Sequence, residues 1–508
     1  MNDTVFDILR GGEGSAPAIG AAGKPALDYQ GLLAQIDATA GYLLSRGIGR
    51  GDRVAIILPN GPELATTFLS VSCCATAAPL NPALTEQEIE FCLRDFGARA
   101  LVVAEGASAT ARKIAASLGL AVFDLRTAAG APAGCIELTG QPSSADAGHE
   151  GAWEPAGPDA VGLVLHTSGT TARPKIVPLT QRNLAASARH IRETLRLDST
   201  DRCLNVMPLF HIHGLVACLL ASLSAGGSVF CSAGFNALRF MADLDVSGAT
   251  WYSAVPTMHQ AILARAARHL DRGRASRLRF IRSSSAALPP RVLGELESVF
   301  GVPVVEAYGM TEAAHQMASN PLPPGVRKPG TVGLAAGPAV AIMDEHGGLV
   351  PPGQGGEIVV RGPNIFGGYE HRPEANAAGF SDGWFRTGDA GVIDMEGYVT
   401  ITSRIKEIIN RGGEKISPRE IDEILLEHEA VREAVAFPIP HATLGEAVGA
   451  AVVLRDGAAA TERDILGFVA GRLAPYKVPS MLRILDELPR GATGKVRRLD
   501  MARQLGLV

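Results

Sequence analysis

No two of the seven cysteines in this 508-residue sequence form a CxxC pair, and no Cys/His ligand spacing accompanies them. Cys73, Cys74, Cys92, Cys135, Cys203, Cys218 and Cys231 all lie in the first half. Their odd count argues against a disulfide framework and against a structural zinc site; reduced, mostly buried thiols are expected. Charge is sparse, at 19% of residues against 46% hydrophobic. That is the balance of a globular chain, not a disordered one. An excess of one sign is also lacking: the net charge is -5, and Lys and Arg are spread along the chain without a stripe that would suit nucleic acid. The most apolar stretch, Leu215 to Phe230, is interrupted by Ser222, Ser224 and Gly226-Gly227, so no membrane span is expected. The start, MNDTVFDILRGGEGS, has no basic head followed by an apolar run. No signal peptide is expected, and a cytoplasmic location is.

What is present is alternation. Runs such as RVAII (Arg53 to Ile57) and ALVVA (Ala100 to Ala104) predict strands, and they alternate with helical patterns. One such pattern opens near Thr180 and places Leu184, Ala188, Ile191 and Leu195 on one face. This predicts an α/β protein with much parallel sheet. The chain is too long for a single core, so at least two domains are expected. Thr127 to Asp159, rich in Ala, Gly, Pro and Ser, reads as a surface connection. There is no repeat of solenoid type.

A second unit is expected after Ser403. Ser417-Pro418-Arg419-Glu420 has the pattern of a capping box with Pro at the first helical position, leading a helix whose apolar face holds Ile421, Ile424 and Leu425. The strand-like runs EAVAFPI and AVGAAVVL follow, then a helix from Thr461 with Ile465, Phe468, Val469 and Leu473 facing inward. About 100 residues of this kind suit a small α+β domain.

The sharpest local signal is HTSGTTARPK, His166 to Lys175, directly after the apolar run VGLVL. Small hydroxyl residues and a glycine after a strand let N–H and O–H groups wrap an anionic phosphate, with Lys175 adding charge. The Walker A spacing does not fit here. Alone, the segment reads equally well as a polar turn. Further pieces follow in order: Phe210-His211, EAYGMTE (Glu306 to Glu312), RTGD (Arg386 to Asp389), SRIKEIINRGGEKISP (Ser403 to Pro418), and PRGATGK ending in Lys495. Together these segments resemble the adenylate-forming superfamily of acyl-CoA synthetases, luciferases and peptide-synthetase adenylation domains.

That resemblance implies an α/β fold with a large N-terminal domain of layered α/β subdomains (1–403). A hinge at Lys406 would join it to a small mobile C-terminal α+β domain (404–508). It implies an acid–thiol ligase using ATP, Mg²⁺ and coenzyme A. Such an enzyme holds two anions together and neutralises charge that grows in the transition state. By resemblance, Thr167, Ser168, Gly169, Thr170, Thr171 and Lys175 hold the β- and γ-phosphates. Tyr308 stacks on adenine, Ser285, Ala286, Glu306, Ala307 and Gly309 line the nucleotide, and Thr311 meets the α-phosphate. Glu312 holds Mg²⁺, a hard cation that prefers oxygen. Asp389 and Arg404 bind the ribose, and Lys495 stabilises the adenylation transition state. His211 is placed beside the chemistry, and the Gly412-Gly413 loop beside the thiol. Two departures affect local loop shape only: Ala172 where Gly is usual, and Ala287 where Pro is frequent.

The segments expected to line the acid pocket offer hydrogen-bond donors: His211, His213, Ser283 to Ser285, His315 and Gln316. RSSSAALPP and EAYGMTEAAHQMASNPLPPGVRKPGTVG resemble the oxalyl-CoA synthetases, in which residues matching His213, Ser285 and His315 hold the distal carboxylate. Oxalate is therefore the expected acid, with malonate or a hydroxycinnamate as alternatives. Loading of a carrier protein is a rival role, disfavoured because the chain ends at Val508 without a carrier segment. A luciferase-like oxygenase fits the polar pocket poorly. A non-catalytic module would be expected to have lost Glu312, Asp389 or Lys495. No nucleic-acid or membrane partner is expected.

Overall fold

The runs RVAII and ALVVA form the strands Arg53–Ile57 and Ala100–Ala104, paired with each other in parallel. They belong to a computed structural model that describes residues 3–141, 152–167, 174–266, 277–490 and 496–507. Ser168, Gly169, Thr170, Thr171 and Lys495 lie outside the described residues. The chain divides into two compact units, one built on 3–167, 174–340 and 360–383, the other on 341–359 and 384–507.

Two mixed sheets form the first unit among the described residues, one of seven strands and one of nine. In the smaller, Thr76–Pro79, Arg53–Ile57, Ala100–Ala104 and Ala121–Arg126 run parallel. Val161–His166 and Ile176–Thr180 close it as an antiparallel pair. In the larger, Arg202–Asn205, Trp251–Ala254, Phe280–Ser283 and Val304–Met310 are parallel neighbours, and Val304–Met310 turns back antiparallel into His315–Ser319. Strands buried on both faces read as continuous apolar runs, which is why the sequence marks them.

The helix expected near Thr180 spans Gln181–Thr194. Thr180 accepts from the Asn183 amide, and Asn183 answers through its side chain to the Thr180 amide. Leu184, Ala188, Ile191 and Leu195 are all fully buried, as the 3.6-residue period requires. Six of the seven cysteines are buried, and all are free. Burial pushes the thiols of Cys74 and Cys92 up to about 12, so both stay protonated and inert.

The surface connection expected from Thr127 to Asp159 is interrupted by structure. Glu137–Gln141 forms an edge strand antiparallel to Ala121–Arg126. Its buried Leu138, with Ile136 buried just before it, fixes the register inside a segment whose Ala and Gly content hides it.

In the second unit, the helices Pro418–Glu427 and Glu462–Ala470 pack on a sheet led by the antiparallel pair Val431–His441 and Gly445–Leu454. Ile421, Leu425, Val448, Val452, Ile465 and Val469 make one core. The capping box expected at Ser417 does not form. The Ser417 hydroxyl donates to the Thr402 carbonyl at 2.6 Å, while Glu420 takes both its bonds from Lys477. Pro418 at the first helical position has no N–H to satisfy, which leaves one orphan donor fewer at this end. Thr461 and Asp464 do form such a box at the other helix.

Candidate active site

The turn between Val304–Met310 and His315–Ser319 gathers most of the EAYGMTE segment. Tyr308 sits near the end of its strand, 8% exposed. Thr311 and Glu312 open a single 3₁₀ turn, Thr311–Ala313. Gly309 faces the His315 carbonyl so closely that a Cβ would lie 2.0 Å from that oxygen. Only glycine permits the approach. The turn then passes through two left-handed residues, Ala314 (φ 45) and His315 (φ 108). Such strain in non-glycine residues persists only when the surroundings enforce it, and it gathers at functional sites. Asn364 enforces it here by donating to the carbonyls of Ala313 and Gln316, each at 2.9 Å.

Glu312 is buried, and its Oε1 accepts from the Tyr369 hydroxyl at 2.8 Å. Lys175 Nζ lies over the Tyr369 ring, 4.2 Å from its centroid. The structure therefore brings Glu312 and Lys175 together through Tyr369, a residue the sequence reading missed. Thr167 follows the strand Val161–His166, and its amide donates to the Lys175 carbonyl at 2.9 Å. His166, stacked on Phe96 and 2.7 Å from Asp95, anchors that strand end. Burial lowers its pKa, so the imidazole is held neutral.

The strand Phe280–Ser283 leads into the serine run. Ser284 Oγ donates to the Ala307 carbonyl at 2.8 Å. Glu306 turns inward, accepting from the Leu288 amide at 2.9 Å, so its carboxylate supports this loop. Ser285 takes a left-handed conformation (φ 72), and Ala286 beyond it is exposed. His213 opens a buried π-helical turn, His213–Leu220, a form often found at functional sites. Its Nδ1 lies 3.0 Å from Ser285 Oγ and its Nε2 2.6 Å from Ser253 Oγ. The rings of His213 and His315 are 5.0 Å apart, centroid to centroid. The three residues expected to hold a distal carboxylate thus form one cluster. His211 stands just before it, only partly buried, with its ring 4.7 Å from that of Phe210.

Ser253 and Arg282 complete the cluster from beneath. Arg282 is fully buried and donates to Ser253 Oγ at 3.4 Å and to Gln316 Oε1 at 3.3 Å. A lone arginine inside the apolar strand run FIRS is the signal that could have found it.

In the second unit, Asp389 and Arg404 face each other across the antiparallel strands Trp384–Ile393 and Val399–Arg404. Arg404 Nε donates to Asp389 Oδ1 at 2.8 Å, with Asp389 buried and Arg404 half-exposed. Glu357 shapes the RTGD segment by accepting from Arg386 Nε at 2.7 Å and from the Gly388 amide at 2.9 Å. Gly412 (φ 63) and Gly413 (φ 98) form the two-residue turn of a hairpin between Ile409–Arg411 and Glu414–Ile416. Both positions demand glycine or a near equivalent.

Among the described residues no helix is long and apolar enough to cross a membrane, and no cluster of three or more His, Cys, Asp or Glu could hold a metal alone. A buried single carboxylate such as Glu312 suits magnesium, which keeps waters and substrate oxygens as its other ligands.

A mixed α/β scaffold of this kind, with its nucleotide-type segments at strand ends, defines a class, and the comparisons give it a name. The chain belongs to the AMP-binding enzyme family, whose model matches residues 12–370, while that of the AMP-binding enzyme C-terminal domain matches 420–495. It is 45% identical to an oxalate–CoA ligase of Arabidopsis thaliana, across 99% of this chain and 98% of that one. It is 40% identical to an oxalate–CoA ligase of Saccharomyces cerevisiae, across 89% and 87%. ATP-bound MatB from Rhodopseudomonas palustris superposes with a TM-score of 0.86 at 32% identity, covering 98% of this chain and 97% of that one.

Proposed function

We propose that this chain is an ATP-dependent acid–CoA ligase that converts oxalate to oxalyl-CoA, releasing AMP and pyrophosphate. The observation that carries the reading is the cluster of His213 and His315, both buried, with the partly exposed Ser285, polar groups with no evident purpose in an apolar core. The kinship with oxalate–CoA ligases of a plant and a yeast supports it.

In the first half-reaction a carboxylate oxygen of the acid attacks the α-phosphorus of ATP, and the bond to the bridging oxygen breaks to release pyrophosphate. Thr167 to Thr171 and Lys175 hold the β- and γ-phosphates. Tyr308 stacks on adenine beside Gly309 and the backbone of Glu306 and Ala307, with Ser285 and Ala286 at the edge of the nucleotide. Thr311 donates to the α-phosphate. Glu312 would hold magnesium, which would neutralise phosphate charge when bound. Asp389 accepts from the ribose hydroxyls, Arg404 steadies Asp389, and Lys495 stabilises the charge that grows at the transferred phosphate. His211 borders the reacting carboxylate.

In the second half-reaction the coenzyme A sulfur attacks the acyl carbon, the thiol proton is lost, and AMP leaves. The mobile domain 404–508, turning at Lys406, exchanges Lys495 for the Gly412-Gly413 turn between the two steps. The free cysteines, six of them buried, suit a reducing compartment and support the reading of a cytoplasmic enzyme.

His213, Ser285 and His315 receive the distal carboxylate of oxalate. A buried donor left without a partner costs about 1–3 kcal/mol, so acetate, which has no second carboxylate, is rejected. Malonate, one methylene longer, is the second reading. The test is ATP-dependent pyrophosphate release and thioester formation with oxalate, malonate, acetate and a hydroxycinnamate. Oxalate is expected to give the highest kcat/KM. Better turnover of acetate or a hydroxycinnamate overturns the oxalate assignment.

A further inference from the structure

Arg282 is fully buried on the strand Phe280–Ser283, yet no carboxylate pairs with it among the described residues. Its two bonds go to neutral oxygens, Ser253 Oγ and Gln316 Oε1, and its Nε has no partner. Burial lowers its pKa to about 10, so the guanidinium remains charged at neutral pH. A buried charge without a counter-ion is costly, and proteins keep one where a ligand supplies the missing charge.

One arrangement of the bonds around it leaves no donor without an acceptor. Arginine has donors only, so Ser253 Oγ must accept from it. Gln316 donates through Nε2 to the Ala336 carbonyl at 3.1 Å, which can only accept, and this turns Oε1 toward Arg282. Ser253 has one proton to give, and of its two side-chain neighbours only His213 Nε2, at 2.6 Å, can take it; were Nε2 to donate instead, that proton would be left without an acceptor. With Nε2 accepting, the neutral imidazole carries its proton on Nδ1, 3.0 Å from Ser285 Oγ. Ser285 therefore accepts from His213 and has its own hydroxyl proton left to donate.

We propose that Arg282 is a positioning and specificity residue for the acid: it orients the chain Arg282–Ser253–His213–Ser285 so that Ser285 presents a donor to the distal carboxylate, and its unneutralised charge favours an anion there. This rests on the assignment of His213, Ser285 and His315 to a distal carboxylate. Successive bonds in such a chain polarise one another in the same sense. A monocarboxylic acid gains nothing from it.

The test compares wild type with Arg282→Met, Arg282→Lys and Ser253→Ala as full-length proteins, using two readouts. The first is the ratio of kcat/KM for oxalate to that for acetate. Arg282→Met and Ser253→Ala are expected to lower it by about tenfold or more, the scale of one lost bond to a charged group, with KM for ATP unchanged. Arg282→Lys, which keeps a buried cation and a donor, is expected to restore much of it. The second is the His213 tautomer, read by long-range ¹H–¹⁵N NMR and assigned through His213→Gln. Wild type should carry the proton on Nδ1, and Arg282→Met should lose that preference. An unchanged ratio together with an unchanged tautomer in Arg282→Met overturns the proposal. Should Arg282→Met fail to fold, Ser253→Ala, which removes one hydroxyl, decides by the same two readouts. Should wild type prefer acetate, the oxalate reading fails by itself, and the tautomer still decides whether Arg282 orients His213.

Discussion

Tyr369 donates its phenolic proton to Glu312 Oε1 at 2.8 Å, and both side chains are buried. That bond fixes the rotation of the one carboxylate assigned to magnesium, while the same ring carries Lys175 on its face. Groups standing one bond behind a metal ligand typically change metal affinity by about 10- to 100-fold. Tyr369→Phe keeps the ring under Lys175 and removes only the donor. The magnesium concentration giving half-maximal pyrophosphate release should rise by about tenfold or more, with the KM for the acid little changed. An unaltered magnesium dependence would reduce Tyr369 to a packing residue.

His259 gives a pH dependence of stability. It is fully buried in the helix Pro256–Ala266, and burial lowers its pKa from 6.5 to about 4. Between those values the unfolded chain binds a proton that the folded state refuses, so stability present above pH 6.5 is lost as the pH falls toward 4. The ceiling on this loss is about 3 kcal/mol. His259→Leu should flatten that part of the profile. Urea unfolding of both proteins at pH 7.5 and pH 4.5 measures it: the stability of the variant relative to wild type should rise at the lower pH. A difference that stays constant would show that His259 does not titrate with folding.

Local chemistry was legible in the sequence, and distant chemistry was not. Arg53–Ile57, Ala100–Ala104 and Gln181–Thr194 announce themselves through apolar period and a capping Thr, because the information sits within a few residues. Ser417 misled for the same reason: its pattern suits a capping box, but its hydroxyl is taken by Thr402, fifteen residues back. The cluster of His213, Ser285 and His315 could be named only through resemblance to a family. Its support could not be named at all. Ser253 lies 40 residues from His213 and 29 from Arg282 and joins them because Trp251–Ala254 and Phe280–Ser283 are parallel neighbours. Tyr369 reaches Glu312 across 57 residues, and nothing in its own segment marks it as polar support.

Lys495 separates the two half-reactions. If it acts only while phosphate charge is developing, Lys495→Ala should abolish acyl-adenylate formation yet leave a supplied adenylate able to react with coenzyme A. Losing one preorganised donor to a growing oxyanion costs about 10²–10³-fold in rate. The measurement pairs pyrophosphate release from ATP and oxalate with thioester formation from oxalyl-AMP. Equal loss in both would remove Lys495 from the adenylation role.

Asp389 makes the nucleotide assignment testable without reference to the acid. Its carboxylate is buried, and Arg404 occupies one oxygen at 2.8 Å, a geometry held by the direct register of the two residues on neighbouring strands. A carboxylate that accepts from both ribose hydroxyls should distinguish ATP from 2′-deoxy-ATP, because the deoxy sugar leaves one charged acceptor unmet. A hydrogen bond to a charged group contributes about 1.5–3 kcal/mol, so wild type should favour ATP by roughly 10- to 100-fold in kcat/KM. Asp389→Ala removes the acceptor and should lower activity with both nucleotides. The ratio between them should then collapse toward one, since neither sugar has a partner to lose. Arg404→Ala, which keeps the carboxylate but loosens its orientation, should give an intermediate ratio. The collapse of the ratio, not the fall in rate, identifies the contact, because misfolding lowers both nucleotides alike and leaves their ratio intact. A wild-type enzyme indifferent to the 2′-hydroxyl, or an Asp389→Ala variant that still discriminates as wild type does, would move the ribose to another residue.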